Sequence, residues 1–160
     1  MTQIDQKEFT QRWVKNLVDS MDVHLDEETK IRLMESCGRA CARQGPARVA
    51  KECQGNLDDW LATLARWHGG EEYIQREGDV IHVICAECMC PLVKDGPARL
   101  PDTYCYCSLG WFKEVFETVL GKPVEIELIE SVKRGAQTCR FTISQIAPAG
   151  SQSSGLNTEG

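Results

Sequence analysis

The stretch Leu109–Val132, LGWFKEVFETVLGKPVEIELIESV, holds a helix, its stop signal and a strand in one run. Phe112, Val115, Phe116 and Val119 recur at helical spacing, so one face of the segment is apolar and predicts a helix over 109–120. Gly121-Lys122-Pro123 closes it, because glycine takes the left-handed C-cap and proline cannot continue the helix. A strand over 124–132 follows. A second strand over 139–146 lies across KRGAQ, which makes a hairpin.

Working outward, the same change of period appears earlier in the chain. Segments 73–76 and 79–85 flank Glu77-Gly78, and the β-branched Val80, Ile81, Val83 and Ile84 suit an antiparallel hairpin with a buried second strand. Before it the pattern is helical. Phe9, Trp13, Leu17 and Met21, beside Val14 and Val18, predict an amphipathic first helix. A second helix is capped by Asp26 and runs through Ile31, Met34, Cys37 and Cys41 to the breaker at 44–46. A short helix over 47–53 and another capped by Asn56, with Leu57, Trp60, Leu61 and Leu64 on its apolar face, end at Gly69-Gly70.

Helices, hairpin, helix, hairpin is the order of an α+β domain. An antiparallel sheet of two hairpins covered by helices is expected. Residues 1–70 form a helical segment packed on the core, 71–146 the α+β core, and 147–160, rich in Gly and Ser, a disordered tail. The loop over 94–103 carries Pro97 and Pro101 and no regular element.

At 160 residues the chain buries a core without covalent staples. No window approaches the roughly 18 apolar residues of a membrane span, and the N-terminal MTQIDQKEFTQRW lacks a signal pattern. A soluble cytoplasmic protein is expected, with no membrane partner. The net charge of −6, without a basic run, argues against nucleic acid as a partner.

Nine cysteines remain to be explained. In a reducing compartment an odd number points away from a disulfide framework and towards metal binding, thiol chemistry or burial. Five of them fall in VICAECMCPLVKDGPARLPDTYCYCSLGW, Val83–Trp111. Cys85-Ala86-Glu87-Cys88 has the CxxC spacing of zinc and iron–sulfur sites. Cys88-Met89-Cys90 and Cys105-Tyr106-Cys107 are CxC pairs, which chelate only where the backbone is extended or looped, since residues two apart on a helix diverge by about 200°. Metal binding by this cluster leads, with redox or nucleophilic chemistry and inert burial as alternatives. Cys37 and Cys41 share one helical face and are expected in the core, with a ligand or redox role as the alternative. Cys53 is expected to be structural.

From Tyr104 onward, YCYCSLGWFKEVFETVLGKPVEIELIESVKRGAQTCRF resembles the 4-vinyl reductase domain family. These are small-molecule-binding α+β domains, found alone and as sensor domains of bacterial transcription activators. In the aromatic-sensing members zinc is held by a cysteine before the long helix, an ExxC glutamate and cysteine, and a last cysteine eight residues on. The resemblance implies Cys105 and Cys139 as the first and last ligands. Leu128 stands at the glutamate position, with Glu127 and Glu130 beside it, and Ser131 at the middle cysteine. Cys88, Cys90 or Cys107 would complete the set, with Cys85, Cys37, Cys41 or Glu130 as further donors. The same segment of the family forms part of the ligand pocket wall, which implies Trp111 and Phe112 here. CGRACA and the CxCP run also look like bacterial proteins labelled L-2-amino-thiazoline-4-carboxylic acid hydrolase-like.

The expected function is therefore a zinc-binding, small-molecule-binding sensor or carrier domain. A metal- or thiol-dependent hydrolase of a small amide or thiazoline is the alternative, and an iron–sulfur or redox module the second. A cysteine hydrolase needs a base beside its thiolate, and only His24, His68 and His82 are present. His82 and Cys85 are three apart on a strand and point to opposite faces. His68 ends its helix, where a cation complements the dipole. No phosphate loop, HExxH or nucleophile elbow occurs. A sheet edge and the aromatic helix make a homodimer a reasonable assembly.

Overall fold

The computed structural model describes residues 5–96 and 100–145. Pro97, Ile146 and the tail expected over 147–160 lie outside the described residues. Five helices come in the expected order, α1 (Gln6–His24), α2 (Glu27–Arg43), α3 (Pro46–Glu52), α4 (Leu57–His68) and α5 (Tyr106–Leu120). The strands are β1 (Ile74–Glu77), β2 (Val80–Cys85), β3 (Val124–Glu130) and β4 (Cys139–Gln145). They form one antiparallel sheet in the order β1-β2-β4-β3. The fold is α+β.

The sequence signals act where they were read. The Asp26 carboxylate accepts from Thr29 N–H at 2.8 Å, and Asn56 Oδ1 accepts from Asp58 N–H at 3.0 Å, each satisfying amides that a helix start leaves open. Gly121 ends α5 at φ 66°, a left-handed value a side chain would strain.

Along β2, Ile81, Val83 and Cys85 point inward, and Phe141 and Ile143 do the same on β4. Helices α4 and α5 bring Trp60, Leu64, Val115 and Phe116 onto that face. Trp60 and Phe116 are fully buried, and truncating either to alanine would cost about 3–5 kcal/mol. The other face of β3 carries Glu125 and Glu127 to solvent.

Two helices depart from the expected packing. On α1 the buried residues are Gln11 and Val18, while Phe9, Trp13 and Leu17 stand out at 53%, 57% and 46% exposure. The helix docks on a second apolar cluster, formed by Met34, Val93, Leu100 and Tyr104, and not on the sheet. That contact uses its Val14, Val18 and Met21 side. On α2 the buried residues are Met34, Gly38 and Ala42, and Cys37 and Cys41 are exposed. Their expected core role is thus corrected. Helix α2 crosses α5 so closely that a Cβ on Gly38 would meet the Cys107 backbone, and with Gly38 on the contact face the two thiols stand outward. Arg39 and Arg43 clasp the Glu114 carboxylate of α5 at 3.1 and 2.7 Å beside that crossing.

A thiol-lined cavity as candidate functional site

At one end of the sheet, where β2 stops and β4 begins, the chain leaves a cavity of about 390 Å³. Helix α5 starts there, α4 ends there, and the loop after Cys85 passes over it. Trp67, Trp111, Phe112, Phe141, Leu128 and Met89 form its apolar walls. Seven of the nine cysteines also line it, namely Cys41, Cys85, Cys88, Cys90, Cys105, Cys107 and Cys139. All nine are free thiols.

The thiols fall into two neighbouring groups. In the first, Cys105 Sγ lies 3.0 Å from Ser131 Oγ. Cys139 Sγ lies 3.9 Å from the same hydroxyl and accepts from Val132 N–H at 3.3 Å. Cys85 stands directly opposite Cys139 across the β2–β4 ladder. Burial, with Cys139 and Cys88 nearby, pushes the Cys85 thiol up to about 12. Cys88 and Cys105 are likewise pushed up by burial, so Cys85, Cys88 and Cys105 line this end of the cavity as protonated thiols at neutral pH.

The second group surrounds Cys107. Burial first, then the proximity of Cys90, Cys41 and Cys37, pushes its thiol up to about 12. Cys90 Sγ is 3.2 Å from the hydroxyl of Tyr104, whose own ionisation burial opposes.

Polar atoms are few. Ser131 and Lys133, both buried, mark one end. His68 closes another side, its Nδ1 buried and without a hydrogen-bond partner. Desolvation holds the His68 imidazole below its ordinary range, so it is neutral at pH 7 and does not complement the α4 dipole as the sequence suggested.

The family of unknown function DUF6144 matches residues 1–149. The chain belongs to DUF6144. No curated protein matches it in sequence. Among solved structures it is similar to the phenol-responsive sensory domain of the transcription activator PoxR, crystallised with phenol, at a TM-score of 0.50 and 16% identity. The likeness covers 90% of this chain and 76% of that one. At such identity it speaks for the fold and leaves function to the site.

In this DUF6144 chain the CxC reading of Cys105-Tyr106-Cys107 is corrected. Cys105, at φ −70° and ψ −15°, already has helical backbone as the first residue before α5. The two side chains therefore diverge, Cys105 towards Ser131 and Cys107 towards Cys41 and Cys90. Cys88 adjoins both groups, hydrogen-bonded to the Cys90 backbone on one side and near Cys139 on the other, while Cys90 sits against Tyr104. Glu130 is not with the thiols either. A bulge between Leu128 and Glu130 shifts the register, and Glu130 accepts from Thr138 at 2.5 Å and pairs with Arg140 at 3.1 Å. Cys53 is half-buried and donates to Val49 O at 3.6 Å, away from the cavity.

Trp111 and Phe112 both lie on the cavity wall. His82 faces away from Cys85, with its Nε2 3.5 Å from Glu77. The buried position of Lys133 had no signal in the sequence, because a lysine in a KRG turn ordinarily reads as solvated. For the zinc that the resemblance implies, the donor chemistry is present and the arrangement is not. Among the described residues no three Cys, His, Asp or Glu side chains gather as metal ligands. The Ser131 hydroxyl, and not a third sulfur, stands beside both Cys105 and Cys139, and Leu128 lines the cavity where a carboxylate is needed.

Among the described residues no helix is long and apolar enough to cross a membrane.

Proposed function

We propose that this chain is a small-molecule-binding sensor or carrier domain of the 4-vinyl reductase type. Its cavity would hold a compact, largely apolar ligand with one polar substituent. The observation that carries the reading is the cavity itself, about 390 Å³ between aromatic and sulfur-bearing walls. That is well above the ~150 Å³ that accepts benzene and within the ~300–1,000 Å³ of ordinary ligand pockets. Protonated thiols are apolar and polarisable, and sulfur at a ring edge is favourable by about 0.3–1.5 kcal/mol. Ser131, Lys133 and His68 supply the polar atoms that would orient a hydroxyl or similar group. The shared fold with a phenol-responsive sensory domain supports the ligand class. Cytoplasmic residence and pairing of two copies belong to the same proposal.

Titration with phenol and a panel of substituted monocyclic aromatics, read by Trp67 and Trp111 fluorescence and by Tm, tests it. Saturable quenching with a rise in Tm is expected for at least one compound, since a ligand at about 100 times its Kd stabilises by ~2.7 kcal/mol. Absence of saturable quenching across the panel, with Tm unchanged, overturns the reading.

A second reading rests on Cys85, Cys88, Cys105 and Cys139, which line the same cavity although no three of them stand together as metal ligands in this structure. After side-chain rotation these sulfurs would hold one zinc ion, with an iron–sulfur cluster as the variant that a brown colour would reveal. Elemental analysis of anaerobically purified protein decides. One metal per chain that falls in Cys105→Ser and Cys139→Ser supports it, and metal-free protein or unchanged content in both variants sinks it.

A further inference from the structure

Cys85 and Cys139 are the only two cysteines paired directly across strands of the described sheet. Their neighbours fix which way they point. Ile81 and Val83 precede Cys85 at alternate positions on the inward face, and Phe141 and Ile143 follow Cys139 in the same way. Both sulfurs thus stand on one face of the sheet, and both line the cavity.

Opposed residues of an antiparallel pair have Cα atoms about 4.5–5.5 Å apart, inside the ~4.4–6.8 Å that a disulfide spans. Their Cβ atoms, about 4.5–5.5 Å apart, need an approach of roughly 1 Å to reach bonding distance. The other thiols near Cys139 are Cys88, which lies in the loop beyond the last β2–β4 ladder pair, and Cys105, whose Sγ is engaged by the Ser131 hydroxyl at 3.0 Å.

We propose that Cys85 and Cys139 are a redox-active pair which peroxide converts to a cross-strand disulfide in the cavity wall. This stands on the strand register and is independent of the ligand reading above. Of the two, Cys139, half-buried, is the sulfur the oxidant reaches first, and Cys85, buried, is the resolving thiol. The Cys139 sulfur attacks one peroxide oxygen, the O–O bond breaks and one water leaves, giving a sulfenic acid. The Cys85 sulfur then attacks that sulfur as its proton passes to the departing hydroxyl, which leaves as the second water, so two thiols and one hydrogen peroxide give one disulfide and two waters. A dithiol reverses it by exchange.

The test is peptide mapping of the full chain, treated anaerobically with hydrogen peroxide and then alkylated with iodoacetamide in denaturant. Alkylated cysteines are expected to fall from nine to seven, with one linked peptide joining Cys85 and Cys139, and dithiothreitol should restore all nine. Cys53→Ser, remote from the cavity, should leave the link intact, whereas Cys139→Ala should abolish it with circular dichroism unchanged. Nine alkylated cysteines after peroxide, or links that join other cysteines instead, overturn the proposal. The wild-type map decides even if Cys139→Ala fails to fold.

Discussion

Gly38 of α2 lies so close to Cys107 of α5 that a Cβ on it would stand 1.8 Å from the Cys107 carbonyl oxygen. The contact is reciprocal, since a Cβ on Gly110 would stand 1.9 Å from the carbonyl oxygen of Glu35. Two backbones therefore meet without side chains between them, and neither carbonyl is the end of a flexible group that can swing away. The crossing also sets where the start of α5 sits, and with it Cys105, Cys107 and Trp111 on the cavity wall.

Gly38→Ala and Gly110→Ala should each destabilise the fold by about 3 kcal/mol or more, the upper part of the usual overpacking range. Glycine's lower helix propensity works in the opposite direction by only about 1 kcal/mol, so the clash decides the sign. Urea denaturation followed by circular dichroism measures it. A midpoint equal to or above that of the wild type for both variants would show that the helices separate at little cost.

The thiols should differ widely in reactivity although all are free. Cys37 and Cys41 are exposed, while burial lifts Cys85 and Cys107 to about 12. At about pH 8 a thiol of that kind is ionised in only about one molecule in 10,000, and the thiolate is the nucleophile. Limiting iodoacetamide followed by peptide mass spectrometry should place the first modifications on Cys37 and Cys41, with Cys85 and Cys107 modified only after denaturation. Early labelling of Cys85 in folded protein would contradict the burial described here.

His68 should make stability fall in mild acid. Its folded-state pKa is depressed by desolvation below the unfolded value of about 6.5, so the unfolded chain binds the proton more tightly. The contribution of the neutral, buried imidazole is complete above about pH 6.5 and is lost as pH falls below that value towards the depressed pKa. Unfolding free energies between about pH 7.5 and about pH 5 should drop less steeply in His68→Phe than in the wild type. Equal slopes would show that His68 stays solvated.

The sequence by itself determined the secondary structure and much of its order. Helical spacing in Phe112, Val115, Phe116 and Val119, the caps at Asp26 and Asn56, the Gly121 stop and the hairpin residues are local signals, and local backbone chemistry was enough to read them. It also drew attention to the thiols and to Trp111 and Phe112. Only the tertiary structure decided how the sulfurs are divided. Extending α5 back to Tyr106 turned Cys105 and Cys107 apart, and the β2–β4 register put Cys85 opposite Cys139, although 53 residues separate the two in the chain (positions 86 to 138). Likewise the Phe9, Trp13 and Leu17 stripe reads as core in isolation, yet α1 turns its Val18 side inward, because the surface it meets is the Met34, Val93 and Tyr104 cluster and not the sheet. Periodicity states that a helix has a preferred face, but which face is buried depends on a partner surface built from distant parts of the chain.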